Sequence, residues 1–294
     1  MNNKFYRSRL HNQFHDLSLT LTTLFLLGVG VSAGAQPAAR MGISPDRYEV
    51  TFDERGGDTQ SLMIQNLSDQ EITVSLSVSH WDLDENNQLR IIPPSEISLD
   101  QWIVINPLQV KIPPGSPQTI RWAIMPRLKP LAGEYRAMLF LEEKLPPAPP
   151  TEPDRIRMKM RYGLPIYAHV GERLARAEFN GIKVDRDNNR VFLDIANTGN
   201  AHVRLNGNYG IWRLAEYPGD EQALSLLRRA VNQLTEPEGF VIGTLPTTVV
   251  LPENRRDIAL SLPLGMPGKY RVVLDGEVAG LRINESLELV QPDT

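Results

Sequence analysis

The chain has no cysteine, few histidines, a low aromatic content of 7% and, beyond one short stretch near its start, no long apolar run. Without cysteine there is no disulfide, no thiol chemistry and no thiolate-held metal, so the fold must rest on burial and backbone hydrogen bonding. A positive balance is missing too: 31 Lys and Arg face 35 Asp and Glu, a net charge of −4. That excludes a general nucleic-acid binder, because phosphate neutralisation needs a basic field. His80, His169 and His202 are the histidines outside the N-terminal segment, and they fall far apart in strand or linker contexts. They read as solvated side chains rather than as a zinc or triad site. Neither an enzyme nor a cofactor is expected.

What is present begins with a targeting signal. Lys4, Arg7 and Arg9 form a basic head, Leu17 to Val31 an apolar segment, and Ala33-Gly34-Ala35 a small-residue cleavage site. The apolar segment is shorter than the ~20 residues a spanning helix requires and carries Ser18, Thr20, Thr22 and Thr23. Residues 1–35 are therefore expected to be a cleaved signal peptide, and no membrane span is expected in the rest of the chain. The removed charges are +3 and −1, which takes the mature chain from −4 to −6.

The mature sequence then repeats itself. "MIQNLSDQEITVSLSVSHWDL" (63–83) returns as "LDIANTGNAHVRLNGNYGIWRL" (193–214), with Asn66 fifteen residues before Trp81 and Asn197 fifteen before Trp212. "Gly-Glu-Tyr-Arg" at 133–136 is echoed by "Gly-Lys-Tyr-Arg" at 268–271. A period of about 130 residues is too long for a solenoid unit and suits two copies of one β domain. Trp81 and Trp212 are expected at equivalent strand positions with equal burial, Trp212 in a core.

Short alternating runs fill both copies. Ile72, Val74, Leu76 and Val78 point one way while Thr73, Ser75 and Ser77 point the other, a strand with one apolar face. Glu54–Asp58, the "DENNQ" segment (84–88) and Pro113-Pro114-Gly115 read as turns. Strands of this length, with turns every 8–12 residues, are the pattern of an immunoglobulin-like sandwich. The second copy adds Leu224, Leu227, Val231 and Leu234 at helical spacing after a "PGD" turn, read as a short helix capping the sandwich. The fold class is all-β: two Ig-like sandwiches, residues 36–170 and 171–294, set as a boomerang, with His169–Arg173 as the hinge.

The segment before that hinge is unusual. "LPPAPPTEPD" (145–154) has five prolines in ten residues and should be an exposed extended loop. In "RIRMKMRYGLPIYA", Ile156, Met158, Met160 and Tyr162 fall on one side, and Arg155, Arg157, Lys159 and Arg161 on the other. Two destinations are open to the apolar side: this domain's own core, or the open core of a partner. Methionine suits the second because its flexible side chain adapts to varied pockets.

"WIVINPLQVKIPPGSPQTIRW" (102–122) resembles the motif that runs through the periplasmic pilus chaperones of the chaperone–usher system. "ISPDRYEVTF" is similar to that family's first strand, and "EYRAMLFLEEKLPPAPP" to its F-strand and the adjoining loop. The resemblance covers the first copy in sequence and the second in architecture. It implies a periplasmic protein that binds a fimbrial or surface subunit, with an outer-membrane usher as a further partner, by donating its G-strand. Ile156, Met158, Met160 and Tyr162 would then be the subunit-binding strand. The family's clamp on a subunit's terminal carboxylate would fall to Arg47 with Lys159 or Arg161, although Glu49 stands nearer the expected first-strand place. The alternative function is a structural or adhesive Ig-like protein of the cell envelope with no folding client. A ligand-binding module is a third.

Overall fold

The computed structural model describes residues 41–84, 87–145, 159–186, 188–233 and 238–292. Residues 1–40, which include the expected signal peptide, together with Ile156, Met158, Leu234 and most of the proline-rich stretch, lie outside the described residues. Among the described residues no helix is long and apolar enough to cross a membrane.

The first half contributes β1 (Met41–Ser44), β2 (Tyr48–Thr51), β3 (Gln60–Asn66), β4 (Ile72–Ser79), β5 (Trp81–Leu83), β6 (Leu89–Ile91), β7 (Ile103–Asn106), β8 (Gln109–Ile112), β9 (Pro117–Ile124), β10 (Gly133–Lys144) and β11 (Arg161–Val170). They assemble as one sheet in the order β1-β3-β9-β7, a second in the order β2-β11-β10-β4-β8, and a small β5-β6 hairpin. The alternation read in the sequence decides which side chains point between the sheets. Leu62, Ile64, Ile112, Ile120, Leu139, Leu141 and Ile166 are fully buried there, with Trp102 and Trp122. The turns fall where the sequence puts them. Gly115 takes φ +66° and Ser116 N donates to Pro113 O at 3.2 Å. Gly56 takes φ +107°, and a Cβ there would lie 2.5 Å from the Ile124 carbonyl oxygen.

The second half contributes β12 (Ala177–Asp185), β13 (Arg190–Asn197), β14 (Val203–Arg213), helix α1 (Asp220–Gln233), β15 (Phe240–Thr244), β16 (Val249–Val250), β17 (Arg255–Ser261), β18 (Gly268–Val278) and β19 (Leu281–Gln291). A β12-β13-β17 sheet packs on a β15-β14-β18-β19 sheet, and β16 adds to β14. Its core, built on Leu193, Leu205, Val272, Leu274 and Ile283, is separate from the first. The protein is thus all-β with two sandwiches and one helical insertion. Residues 41–292 form one compact unit.

The repeat is matched atom by atom. Asn66 is buried, and its Nδ2 donates to Gln70 O (2.7 Å) and Ile112 O (2.9 Å), while its Oδ1 accepts from Ser68 N (2.9 Å). Asn197 is buried, donates to Ala201 O and Val250 O (both 2.9 Å), and accepts from Gly199 N (2.9 Å). Each asparagine ties a turn two to four residues ahead to a strand of the opposite sheet. Tyr135 Oη donates to Leu131 O and Tyr270 Oη to Met266 O, each four residues back, the corner seen in Ig-like sandwiches.

The tryptophans match in burial, both 2% exposed, but neither lies between its sheets, which corrects the core expectation for Trp212. Trp81 packs on Met138, Phe140, Tyr167 and Leu251, outside the first sandwich. Trp212 packs on Val273, Ala223 and Leu227 of α1, outside the second, stacked on Phe240 at 4.3 Å. The helix therefore caps that sandwich as expected, with Leu224 and Val231 at the rim of its contact.

Candidate functional site

The hinge expectation needs adjusting. His169 and Val170 belong to β11, paired with Glu134 and Gly133, so the linker is Gly171–Arg176. Asn200 pins that linker: its Nδ2 donates to Glu172 O, and its Oδ1 accepts from Leu174 N at 2.7 Å and lies 3.2 Å from His169 Nε2.

Two histidines read as solvated are buried, His169 at 5% and His202 at 3% exposure. Both ring nitrogens of His202 and Nε2 of His169 meet partners across the junction, which offsets much of the cost of burial. His202 Nδ1 lies 2.6 Å from Glu134 Oε2, which also accepts from the His202 backbone N–H, and Nε2 lies 3.4 Å from Glu49 Oε1. Its ring stacks on Tyr167 at 4.0 Å. Burial by itself raises the Glu134 carboxyl, but the hydrogen bonds and charge of His202, with Arg136 nearby, bring it below its ordinary value. Glu49 further reaches Arg173 at 3.3 Å and Arg204 at 4.0 Å. This network, with Leu251 seated against Trp81, Met138, Phe140 and Tyr167, joins the two sandwiches.

The candidate site lies on β11. Its C-terminal part pairs on one side with β10 and on the other, in parallel, with β2, Ile166 opposite Tyr48 through His169 opposite Thr51. Upstream, Arg161 to Pro165 pair with β10 alone, because the chain before β2 leaves this sheet to form β1 of the other. Among the described residues no strand lies on that side of 161–165. Which backbone groups are free is decided by two bonds. Glu143 N donates to Met160 O, so even-numbered residues turn toward β10; Phe52 N donates to His169 O, so odd-numbered ones turn toward β2 and the edge. The open edge among the described residues therefore presents the N–H and C=O of Arg161 and Gly163; Pro165 has no N–H, and the parallel register sets its C=O against the Tyr48 N–H.

The side chains divide by parity. Met160 and Tyr162 are partly buried against the first core, and Leu164, Ile166 and Ala168 continue that face inward. For Met160 and Tyr162 the structure thus shows the first of the two destinations, with part of each still exposed at the edge. Lys159, Arg161 and Gly163 face outward. Gly163 is roofed by neighbours: a Cβ there would meet Met138 Sδ at 3.1 Å and Phe140 Cε1 at 3.3 Å. Arg161 lies flat over Phe140 with its Cζ 3.8 Å from the ring centre. Glu142, opposite Arg161 on β10, gathers Lys159 (hydrogen-bonded), Lys144 Nζ at 3.4 Å and Arg161 Nε at 3.9 Å. The Lys159 hydrogen bond, the largest influence, holds the Glu142 carboxyl below its ordinary range.

The three candidate anchor cations do not converge. Arg47 precedes β2 and pairs with Asp46 at 3.7 Å; one step back in the β2–β11 register sets it opposite Pro165. At ~3.3 Å per residue the Arg161 backbone is about 13 Å away along the edge, and Lys159 farther, and in the structure both cations turn to Glu142 rather than toward Arg47. The sequence reading missed Gly163, Pro165, Phe140, Glu142 and Leu251. "Gly-Leu-Pro" inside a strand pattern was the available signal, since proline in a sheet is confined to edges.

No protein-family model matches the chain, and no curated protein matches it in sequence. Among solved structures it is similar to the CsuC–CsuE chaperone–tip adhesion subunit pre-assembly complex from archaic chaperone–usher Csu pili of Acinetobacter baumannii (16% identity, 85% of this chain and 98% of that chain, TM-score 0.43). It is similar also to the CupB2 chaperone of Pseudomonas aeruginosa (12% identity, 82% of this chain and 96% of that chain, TM-score 0.39) and to the YadV chaperone (11% identity, 85% and 100%, TM-score 0.44).

Proposed function

We propose that the protein is a periplasmic chaperone that holds secreted fimbrial or surface subunits by letting a subunit strand add to β11. The observation that carries this reading is the open edge at Arg161–Gly163, where, among the described residues, no strand pairs with the outward backbone donors and acceptors beside the partly buried Met160 and Tyr162. A free edge with apolar neighbours is a liability in a monomer and an asset in a protein that receives a strand. The motif at 102–122 and the signal at 1–35 agree with that role. Ile156 and Met158 extend the apolar face in sequence. A strand running parallel to β11 would end beside Arg47, whose cation would receive its terminal carboxylate, with Lys159 and Arg161 farther along the same edge. An usher would act downstream of this step.

Gly163 separates pairing from packing. Gly163→Pro removes an edge N–H and fills the space beside it, whereas Gly163→Ala adds the same Cβ and keeps the donor. Co-expressed with a fimbrial subunit that the unaltered chain is shown to retain, the Ala variant should recover the complex and the Pro variant should lose it, both chains keeping their melting temperature. Equal recovery would return the protein to the envelope-protein alternative.

A further inference from the structure

Among the described residues the outward face of the open edge carries more positive charge than Glu142 balances. Among the described residues three cations, Lys144, Lys159 and Arg161, share the carboxylate of Glu142, and their side chains remain 50%, 46% and 53% exposed. Arg161 is held flat by Phe140, so its position is set before any partner arrives. Gly163, next along the face, contributes no side chain of its own. On an antiparallel or parallel sheet the residue beside Arg161 on an added strand projects from the same face, within cross-strand contact distance. The rest of the protein is net negative, so this patch is a local exception rather than part of a general field.

We infer that the partner strand received by β11 is an alternating apolar–acidic segment, whose outward side chains beside Lys159 and Arg161 are Asp or Glu. This rests on the strand-addition reading and adds to it the chemistry of the partner. The apolar side chains of that strand face Met160, Tyr162 and Leu164, while its carboxylates relieve the cations that Glu142 leaves undersatisfied. The selection is local to this edge. The last strand of the second sandwich, β19, is also free on one side, but carries Glu285 and Glu288 and disfavours the same segment.

Two nine-residue peptides test this on the mature chain, one alternating Val with Glu and one alternating Val with Lys, by titration calorimetry at low salt. The Glu peptide should bind about tenfold more tightly, the ratio expected from two cross-strand ion pairs. In the double variant Lys159→Glu, Arg161→Glu the preference should invert, and proton–deuterium exchange should place both peptides at Arg161 and Gly163. Equal affinity for the two peptides, or a preference that the double variant leaves unchanged, overturns the inference and leaves strand addition standing. Binding of neither peptide overturns both.

Discussion

The two sandwiches share their internal locks and differ in what covers them. Asn66 and Asn197 make the same bonds, and Tyr135 and Tyr270 the same corner. Trp81 and Trp212 sit at the same distance from those asparagines and are equally buried on the outside of a sheet. In the second sandwich the tryptophan is roofed by α1, an insertion of the same domain. In the first it is roofed by Leu251, a residue of the other sandwich. One copy finished its outer face by itself; the other used that face to make a junction. Duplication supplies two equal scaffolds, and function diverges on the surfaces that the internal locks do not need.

The sharpest way to break this comparison is to remove each tryptophan. Trp81→Ala and Trp212→Ala should each cost about 3–5 kcal/mol, as large buried aromatics do. The consequences should differ. Loss of Trp81 should uncouple the sandwiches and split one denaturation transition into two; loss of Trp212 should remove the helical circular-dichroism signal and leave the first sandwich intact. Identical behaviour would mean that the two roofs are not distinct.

Asn66→Ala and Asn197→Ala test the likeness instead. Each leaves at least two buried or half-buried carbonyls without a donor, so each should cost about 2–4 kcal/mol in denaturant titrations, with equal values for the pair. A twofold difference would show that the shared bonds carry unequal weight.

A smaller effect probes the junction through pH. Because the folded Glu134 carboxyl lies below its ordinary value of 4.5, its contribution is present above that value and is lost as pH falls through the folded one. Glu134→Gln should flatten the acid limb of the stability curve below about pH 4.5 and lower the plateau at neutral pH, since His202 loses its charged partner. An unchanged acid limb would mean that the network does not couple to folding.

Much of this was legible in the sequence, for physical reasons that differ by feature. The Asn–Trp spacing, the Gly-x-Tyr corners and the period-two runs are local patterns, and the sheets reproduced them. The helix announced itself by its 3.6-residue period. The histidines were misread because burial of a polar side chain depends on partners distant in the chain: Glu134 lies 68 residues from His202. Trp212 was misplaced because a strand's alternation tells which residues share a face, but not which face meets the second sheet when both are covered. At the site, the parity of Met160, Tyr162, Lys159 and Arg161 was correct, whereas the limit of the open edge depended on where β2 leaves the sheet, and that is set by tertiary pairing.

The central claim is that the edge-facing backbone groups of Arg161 and Gly163 in β11 stand free until a partner strand arrives. Amide hydrogen exchange resolved by residue tests it most directly, with whichever alternating peptide binds. In the free protein Tyr162 and Leu164, bonded to β10, should be protected, while Arg161 and Gly163 exchange at nearly unprotected rates; on binding, Arg161 and Gly163 should slow by about a hundredfold or more, as amides entering a sheet do. Arg161 and Gly163 already protected in the free protein, or unchanged in the complex, would contradict the account.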